Sequence, residues 1–197
     1  MTAAAALLGV TVLILAAAVW HVHGPTSLDR APRLLIPRAT QRRWLFHDLA
    51  LLGSAPVVVA AVALLAAWAA QRRDYLAAAL AVVGPALTVF LTEVVLKPLV
   101  DRRAGGGLLF PSGHVASATA VAVVVVLLAY RWWGMRVAVA VALPAACVPM
   151  TVTLGVVRLE WHYVTDAAGG LALGAAAVLA VAVALSEAWA RGPALPD

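Results

Sequence analysis

Apolar positions in this chain gather into six long runs separated by shorter polar connections. The runs are Ala3 to Val19, Leu49 to Ala70, Leu76 to Leu96, Val115 to Tyr130, Val137 to Val157 and Val164 to Ala188. A helix needs about 20 mostly apolar residues to cross a bilayer. The fourth run approaches that length when it begins at Ser112. The pattern predicts an all-α fold, one domain over residues 1–197 built as a bundle of six transmembrane helices. Trp20, Trp44, Trp68, Trp132, Trp133, Trp161 and Trp189 stand at or near run ends, where amphipathic rings favour the membrane–water interface. The rival reading of the first run is a cleaved signal peptide, but no basic residue precedes it.

Composition supports a bilayer as solvent. The 197 residues are 64% hydrophobic and 12% charged, whereas soluble domains run about half apolar and about a quarter charged. The net charge is +5, with the basic residues in short clusters between apolar runs. That arrangement suits lipid headgroups and topology rather than a nucleic-acid partner. The single cysteine, Cys147, lies inside an apolar run and reads as a small buried thiol, with no disulfide or Cys-based metal site. The connection from His21 to His47 is long and polar, with Arg30, Arg33, Arg38, Arg42, Arg43 and three prolines. Within it Leu34, Leu35, Ile36, Trp44, Leu45 and Phe46 suit a short element in the headgroup layer. We read this as a surface anchor rather than a substrate-recognition element. His21, His23 and His47 have no second set of ligands beside them and read as solvated.

Six crossings place alternate connections on opposite faces. Connections 71–75 and 131–136 share one face with both termini; 21–47, 97–114 and 158–165 share the other. Three polar clusters lie on that second face. The first runs from Thr92 to Arg103, where Glu93 and Lys97 stand four apart in the order that pairs well on a helix. The second is Phe110-Pro111-Ser112-Gly113-His114. There Ser112 is a plausible N-cap and Gly113 permits close backbone approach. Free N–H groups at a helix start form a phosphate cradle, with the His114 ring beside it able to donate a proton. The third runs from Arg158 to Asp166, with His162 and Asp166 four apart on one helical face. An Asp accepting from one imidazole nitrogen fixes the tautomer and leaves the other nitrogen as a nucleophile. Each cluster alone has a plainer reading: a basic membrane edge, a capped turn, an interfacial histidine with a first-turn carboxylate. Together they bring cations, hydroxyl, glycine, two histidines and an aspartate to one membrane side at helix ends, where irregular backbone can meet water.

In these motifs the chain resembles the type 2 phosphatidic acid phosphatase (PAP2) superfamily, in its membrane branch. Pro-Ser-Gly-His at 111–114 matches the second family motif. His162 and Asp166, continued by Ala167 to Gly170, match the third, and Lys97 matches the lysine of the first. The likeness covers Thr92 to Gly170. Two positions depart from the pattern. The first-motif arginine falls at Ala104 here, with Arg102 and Arg103 one or two places early and no following proline. The third-motif arginine normally precedes the histidine by six residues, and here Arg158 precedes His162 by four. Gly105, Gly106 and Gly107 suggest a flexible loop from which Arg102 or Arg103 still reaches a phosphate.

The resemblance implies a metal-independent lipid phosphatase without a cofactor. His162 would attack phosphorus to form a phosphohistidine, Asp166 would orient it, and His114 would protonate the leaving oxygen and then activate water. Lys97, Arg102 or Arg103, Ser112, Gly113 and Arg158 would hold the phosphoryl oxygens. The family's substrates include prenyl diphosphates, phosphatidate and phosphatidylglycerophosphate, and a small chain of this type leans toward an isoprenoid (di)phosphate. The partners implied are that lipid and the surrounding membrane lipids, with the site on the outer side of a bacterial inner membrane. Charge does not decide orientation: Arg72, Arg73, Arg131, Arg136 and Arg191 on one face oppose a motif face rich in candidate ligands. The displaced arginines motivate an alternative, a lipid-phosphate binding or transport protein that has lost turnover. Retention of His114, His162 and Asp166 argues against it. A vanadate-dependent peroxidase would share the oxyanion pocket, but such enzymes are typically soluble.

Overall fold

Apolar runs become helices because a helix satisfies its own backbone where no water can. The computed structural model describes residues 1–30 and 42–191, with side chains through Glu187. The helices are α1 (Thr2–Ala18), α2 (Arg43–Leu51), α3 (Ala55–Gln71), α4 (Tyr75–Phe90), α5 (Lys97–Val100), α6 (Gly113–Trp133), α7 (Met135–Arg158) and α8 (Val164–Arg191). A π-helical segment, Leu91–Leu96, joins α4 to α5. Among the described residues five helical stretches are long and apolar enough to cross a membrane: Arg43–Gln71, Tyr75–Val100, Gly113–Trp133, Met135–Arg158 and Val164–Glu187. The chain is thus an integral membrane protein. The first run forms α1, apolar but only 17 residues long, a rise of about 26 Å against a hydrocarbon core of about 30 Å.

The second span starts earlier than the hydrophobic pattern predicts. Trp44, Leu45 and Phe46 belong to α2 rather than to a polar connection. Phe46 packs on a cluster containing Ala50, Val152 and Val156, so burial against α7 overrides the local polarity. Gly155 makes the approach possible, since a Cβ there would sit 2.8 Å from the Phe46 carbonyl oxygen. Ser54 then starts α3, with proline in its first turn, where a missing N–H costs nothing. The expected interfacial residues Leu34, Leu35 and Ile36, with Arg33 and Arg38, lie outside the described residues, as do the side chains of Trp189 and Arg191.

Helix α6 occupies the middle of the bundle. Its Val124 and Leu128 meet Ala77, Leu80 and Ala81 of α4 and Val178 and Val181 of α8. Small residues bring these helices together, since lipid tails supply no hydrophobic drive for helix association. At Gly174 a Cβ would lie 2.4 Å from the Ala116 carbonyl oxygen, so α6 and α8 touch backbone to backbone. Helix α1 covers α8, with Val12 beside Ala172 and Leu173. Outward faces carry Leu13, Leu64 and Leu143 in exposed positions, as lipid contact requires. Cys147 is likewise exposed on the outer face of α7, not buried as its apolar run suggested.

Polar connections collect at the two ends of the bundle. At one end Asp74 accepts hydrogen bonds from Arg131 and Trp132. At the other, the segment after α1 runs beside residues 100–103, with His21 N–H donating to the Val100 carbonyl and Gly24 N–H to that of Arg103. A small antiparallel hairpin, β1 (Arg103–Ala104) with β2 (Gly107–Leu108), closes this end. Gly105 and Gly106 both have positive φ, 57° and 85°, the requirement of a tight two-residue hairpin turn. The glycines of this loop therefore supply the turn of a hairpin.

Candidate active site

The site forms where the N-termini of α6 and α8 meet. Ser112 N–H donates to the Asp166 carbonyl oxygen at 3.0 Å, which ties the second motif directly to the third. The approach depends on Gly170, where a Cβ would lie 2.7 Å from the Ser112 carbonyl oxygen. Ser112 occupies the N-cap position, but its side chain makes no cap bond. Its buried Oγ instead has no partner among the described residues.

His114 follows in the first turn of α6. The charged or ionisable groups that bear on it are His162, Lys97 and Glu93. Its ring centroid lies 5.8 Å from that of Trp161, whose other neighbour is His47 of α2 at 5.6 Å. Lys97, the first residue of α5, reaches this place from the end of the π-helical segment. Its Nζ donates to Glu93 Oε1 at 2.7 Å and Oε2 at 2.8 Å. A Cβ on Gly113 would stand 2.6 Å from Glu93 Oε1 and 3.8 Å from Lys97 Nζ. The bare backbone of Gly113 is thus what lets the Lys97–Glu93 pair sit against the start of α6. π segments of this kind often mark functional sites.

His162 and Asp166 face each other at the start of α8, His162 Nδ1 lying 3.8 Å from Asp166 Oδ2. Asp166 is fully buried. Its Oδ2 accepts the Tyr163 N–H at 2.8 Å, and its Oδ1 accepts from Arg102 at 2.5 Å. His162 Nδ1 is buried without a hydrogen-bond partner among the described residues, and so is Arg158 Nε. Arg158 lies with its guanidinium carbon 4.4 Å from the centre of the Phe46 ring. Among the described residues, no three His, Cys, Asp or Glu side chains converge as metal ligands would.

The two first-motif arginines separate. Arg103 is exposed and pairs with Asp101 at 2.6 Å. Arg102 turns inward and is 0% exposed. One of its terminal nitrogens donates to Thr165 Oγ1 at 2.6 Å and to Asp166 Oδ1; the other donates to Asp29 Oδ2 at 2.6 Å and to the Gly24 carbonyl oxygen at 3.1 Å. Its guanidinium also lies over the Tyr163 ring, 4.7 Å from the centre.

Asp29 is the residue that the sequence reading missed. It is 1% exposed, and its Oδ1 accepts the Thr165 N–H at 3.0 Å and the Thr165 hydroxyl at 2.8 Å. Its Oδ2 accepts the N–H and hydroxyl of Thr26. Burial acts to raise its pKa, but these four bonds outweigh burial and bring it from the ordinary 3.8 to about 2. Thr26-x-x-Asp29 is the spacing of a capping box, a signal readable in sequence. Nothing local reveals that Asp29 also meets α8.

No curated protein matches the chain in sequence. Among solved structures it is similar to the first transmembrane PAP2 type phosphatidylglycerolphosphate phosphatase from Bacillus subtilis, with a TM-score of 0.76 at 21% identity over 96% of this chain and 98% of that one. At that identity the likeness concerns the fold. Residues 53–190 match the sequence profile of the PAP2 superfamily, a stretch that contains both histidines, Asp166 and the helices that position them. On that match, the chain belongs to the PAP2 superfamily.

Proposed function

We propose that the chain is a membrane lipid phosphatase working through a phosphohistidine at His162. The observation that carries this reading is the grouping of buried, unpartnered side-chain atoms. Ser112 Oγ, Arg102 Nε and Arg158 Nε, one from each motif, are buried at the same bundle end without a partner among the described residues; His162 Nδ1 is a further such atom, but it faces Asp166. Buried polar atoms normally find a partner, so such a concentration fits a site built for a polar ligand.

In the proposed reaction, His162 Nε2 attacks phosphorus and the bond to the lipid oxygen breaks. His114 gives that oxygen a proton, then takes one from the water that cleaves the phosphorus–nitrogen bond. Inorganic phosphate leaves and His162 is regenerated. Asp166 keeps the Nδ1 side of His162 as donor, so that Nε2 carries the lone pair. The transition state is loose, and catalysis is mainly placement and neutralisation of oxygen charge. Lys97, Arg158, the Ser112 hydroxyl and the Gly113 N–H form the proposed phosphate set, with Arg103 at the rim. We place Arg102 outside that set, because both of its terminal nitrogens are engaged by Thr165, Asp166, Asp29 and Gly24 and only its Nε is left without a partner among the described residues.

The substrate class is a phosphate or diphosphate of a lipid, isoprenoid or phosphatidate-like, with its tail in the bilayer. No metal enters this scheme because side chains supply the cations. We place α1 as a sixth crossing and the site on the outer side of a bacterial inner membrane, with both termini on the cytoplasmic side. Phosphate release by the detergent-purified chain, with EDTA present, against a panel of lipid phosphates tests the reading. His162→Ala is the control. Release by the wild type but not by this variant supports it; release by neither, with lipid bound, favours a binding or transport role instead.

A further inference from the structure

We propose that Asp29 and Arg102 are positioning residues that set the charge on Asp166 and thereby the protonation of His162. The proposal rests on the phosphatase reading above and extends it to a residue outside the family motifs. Its basis is a chain of buried contacts. Asp29 bonds to Arg102, Arg102 bonds to Asp166, and Asp166 faces His162. All three members of the ion triad are buried, with exposures of 1%, 0% and 0%. One guanidinium thus serves two carboxylates, and the triad keeps one negative charge in excess.

A buried triad of this kind is a poor source of stability, since desolvation offsets much of the attraction. Its arrangement suits control of charge. Arg102 is shared, so each carboxylate limits how far it neutralises the other. Thr165 reinforces the link, because its hydroxyl donates to Asp29 and accepts from Arg102 while its N–H also bonds to Asp29. Asp29 therefore holds both the arginine and the first turn of α8. Asp29, Glu160, Tyr163 and His162 also line one small cavity of about 20 Å³, so the carboxylate lies near the imidazole as well as behind it.

Other charged or ionisable groups lie at this end of the bundle. His114 on α6 interacts with His162, and Lys97 of α5 and Glu93 of the π-helical segment bear on His114 in turn; Glu160 and Tyr163 share the small cavity with His162, and Arg158 ends α7 four residues before it. None of them is altered in the variants below, so shifts among those variants report on the triad.

The two residues act with opposite sign. In Asp29→Asn, Arg102 belongs to Asp166 alone, which weakens the carboxylate's hold on an imidazolium at His162. The acid limb of the kcat/KM profile then moves to lower pH. In Arg102→Met, Asp166 carries its full charge, imidazolium is favoured, and the limb moves to higher pH. A residue with a merely structural role lowers the yield of folded protein and leaves the limb in place. Outer partners of catalytic groups are worth about ten- to hundredfold in activity, so kcat falls by about that factor in both variants, with KM within about threefold of wild type.

The experiment measures kcat, KM and pH profiles of the full-length, detergent-purified chain on its best lipid phosphate. In parallel, NMR of 15N-histidine-labelled protein follows the His162 titration. Arg102→Lys keeps the cation without the fork, recovers part of kcat and leaves the limb near its wild-type position. It carries the test together with Asp29→Asn should Arg102→Met not fold. Opposite shifts from Asp29→Asn and Arg102→Met, or with Arg102→Lys standing in, a downward shift from Asp29→Asn alone, support the proposal. Unmoved or parallel titrations overturn it, as does a large rise in KM with kcat retained in Arg102→Met, which would make Arg102 a phosphate ligand. A wild-type chain that releases no phosphate would overturn only the phosphatase reading, because the NMR titration reports the triad whether or not turnover occurs.

Discussion

His162 Nδ1 lies 3.8 Å from Asp166 Oδ2, an oxygen that already accepts the Tyr163 N–H at 2.8 Å. The pair is aligned without being closed. A short tightening would convert the contact into a charge-assisted bond as positive charge develops on the imidazole. His162→Ala should therefore abolish phosphate release while the protein remains folded in membranes. Asp166→Asn should reduce kcat by at least about a hundredfold, because an amide can present its N–H₂ and select the wrong tautomer. Single-turnover phosphate release on both variants checks this. Near-normal activity in Asp166→Asn would remove the pair from the mechanism.

The Lys97–Glu93 contact predicts an asymmetric response in substrate binding. Lys97 Nζ holds both Glu93 oxygens, and Glu93 lies against the Gly113 backbone where the phosphate is proposed to sit. Lys97→Met should raise KM. Glu93→Gln should lower KM by a few fold, because the lysine is freed and a carboxylate that repels the anion is gone. Neither change should alter thermal stability much, since a partly exposed pair contributes only about 0–1 kcal/mol. Steady-state KM at fixed ionic strength, with thermal unfolding in detergent, separates these effects.

Asp29 predicts an acid-labile end of the bundle. Its folded-state pKa, about 2, lies below the ordinary 3.8. A depressed carboxylate contributes stability that is fully present above the unfolded value and is lost as pH falls through the folded one. The loss should thus fall between about pH 4 and pH 2 and amount to about 2 kcal/mol at its end. Asp29→Asn should flatten that part of the stability–pH curve and lower the plateau at neutral pH. Thermal unfolding from pH 2 to 7 measures both.

Much of this fold was legible because its signals are repetitive. Apolar runs of membrane length and tryptophans at their ends pointed to the five helical stretches long enough to span, and Pro-Ser-Gly-His with His162 and Asp166 pointed to the candidate site. The misreadings came where tertiary contact overrides local pattern. Phe46 looked like part of a polar connection, yet Gly155 admits its backbone against α7. Arg102 and Arg103 were indistinguishable in sequence. Only the partners 73 and 64 residues away, Asp29 and Asp166, turn one of them inward. Asp29 itself carried a capping-box signal but no sign of that distant contact.

The opposite end of the bundle offers a control with a definite sign. Asp74 is the N-cap of α4 and accepts the Ala77 N–H at 3.1 Å. It also accepts Arg131 Nε at 2.5 Å and Trp132 Nε1 at 3.0 Å. The Arg131 bond holds the Asp74 carboxyl below its ordinary pKa, with the Trp132 and Ala77 bonds assisting against burial. Asp74→Ala removes the cap and leaves two donors of α6 without their acceptor. A cost of about 1–2 kcal/mol follows from the cap alone. The same span carries Lys97 near its far end, and its 26 residues cover about 39 Å. Pro85 and the π-helical segment interrupt regular hydrogen bonding between the two positions. A displacement at Asp74 therefore has no continuous rigid path to the lysine. Asp74→Ala should lower the unfolding temperature while leaving kcat and KM per folded molecule unchanged. A fall in kcat at full folding would mean that α4 transmits strain along its length, and that the two ends of this bundle work as one unit.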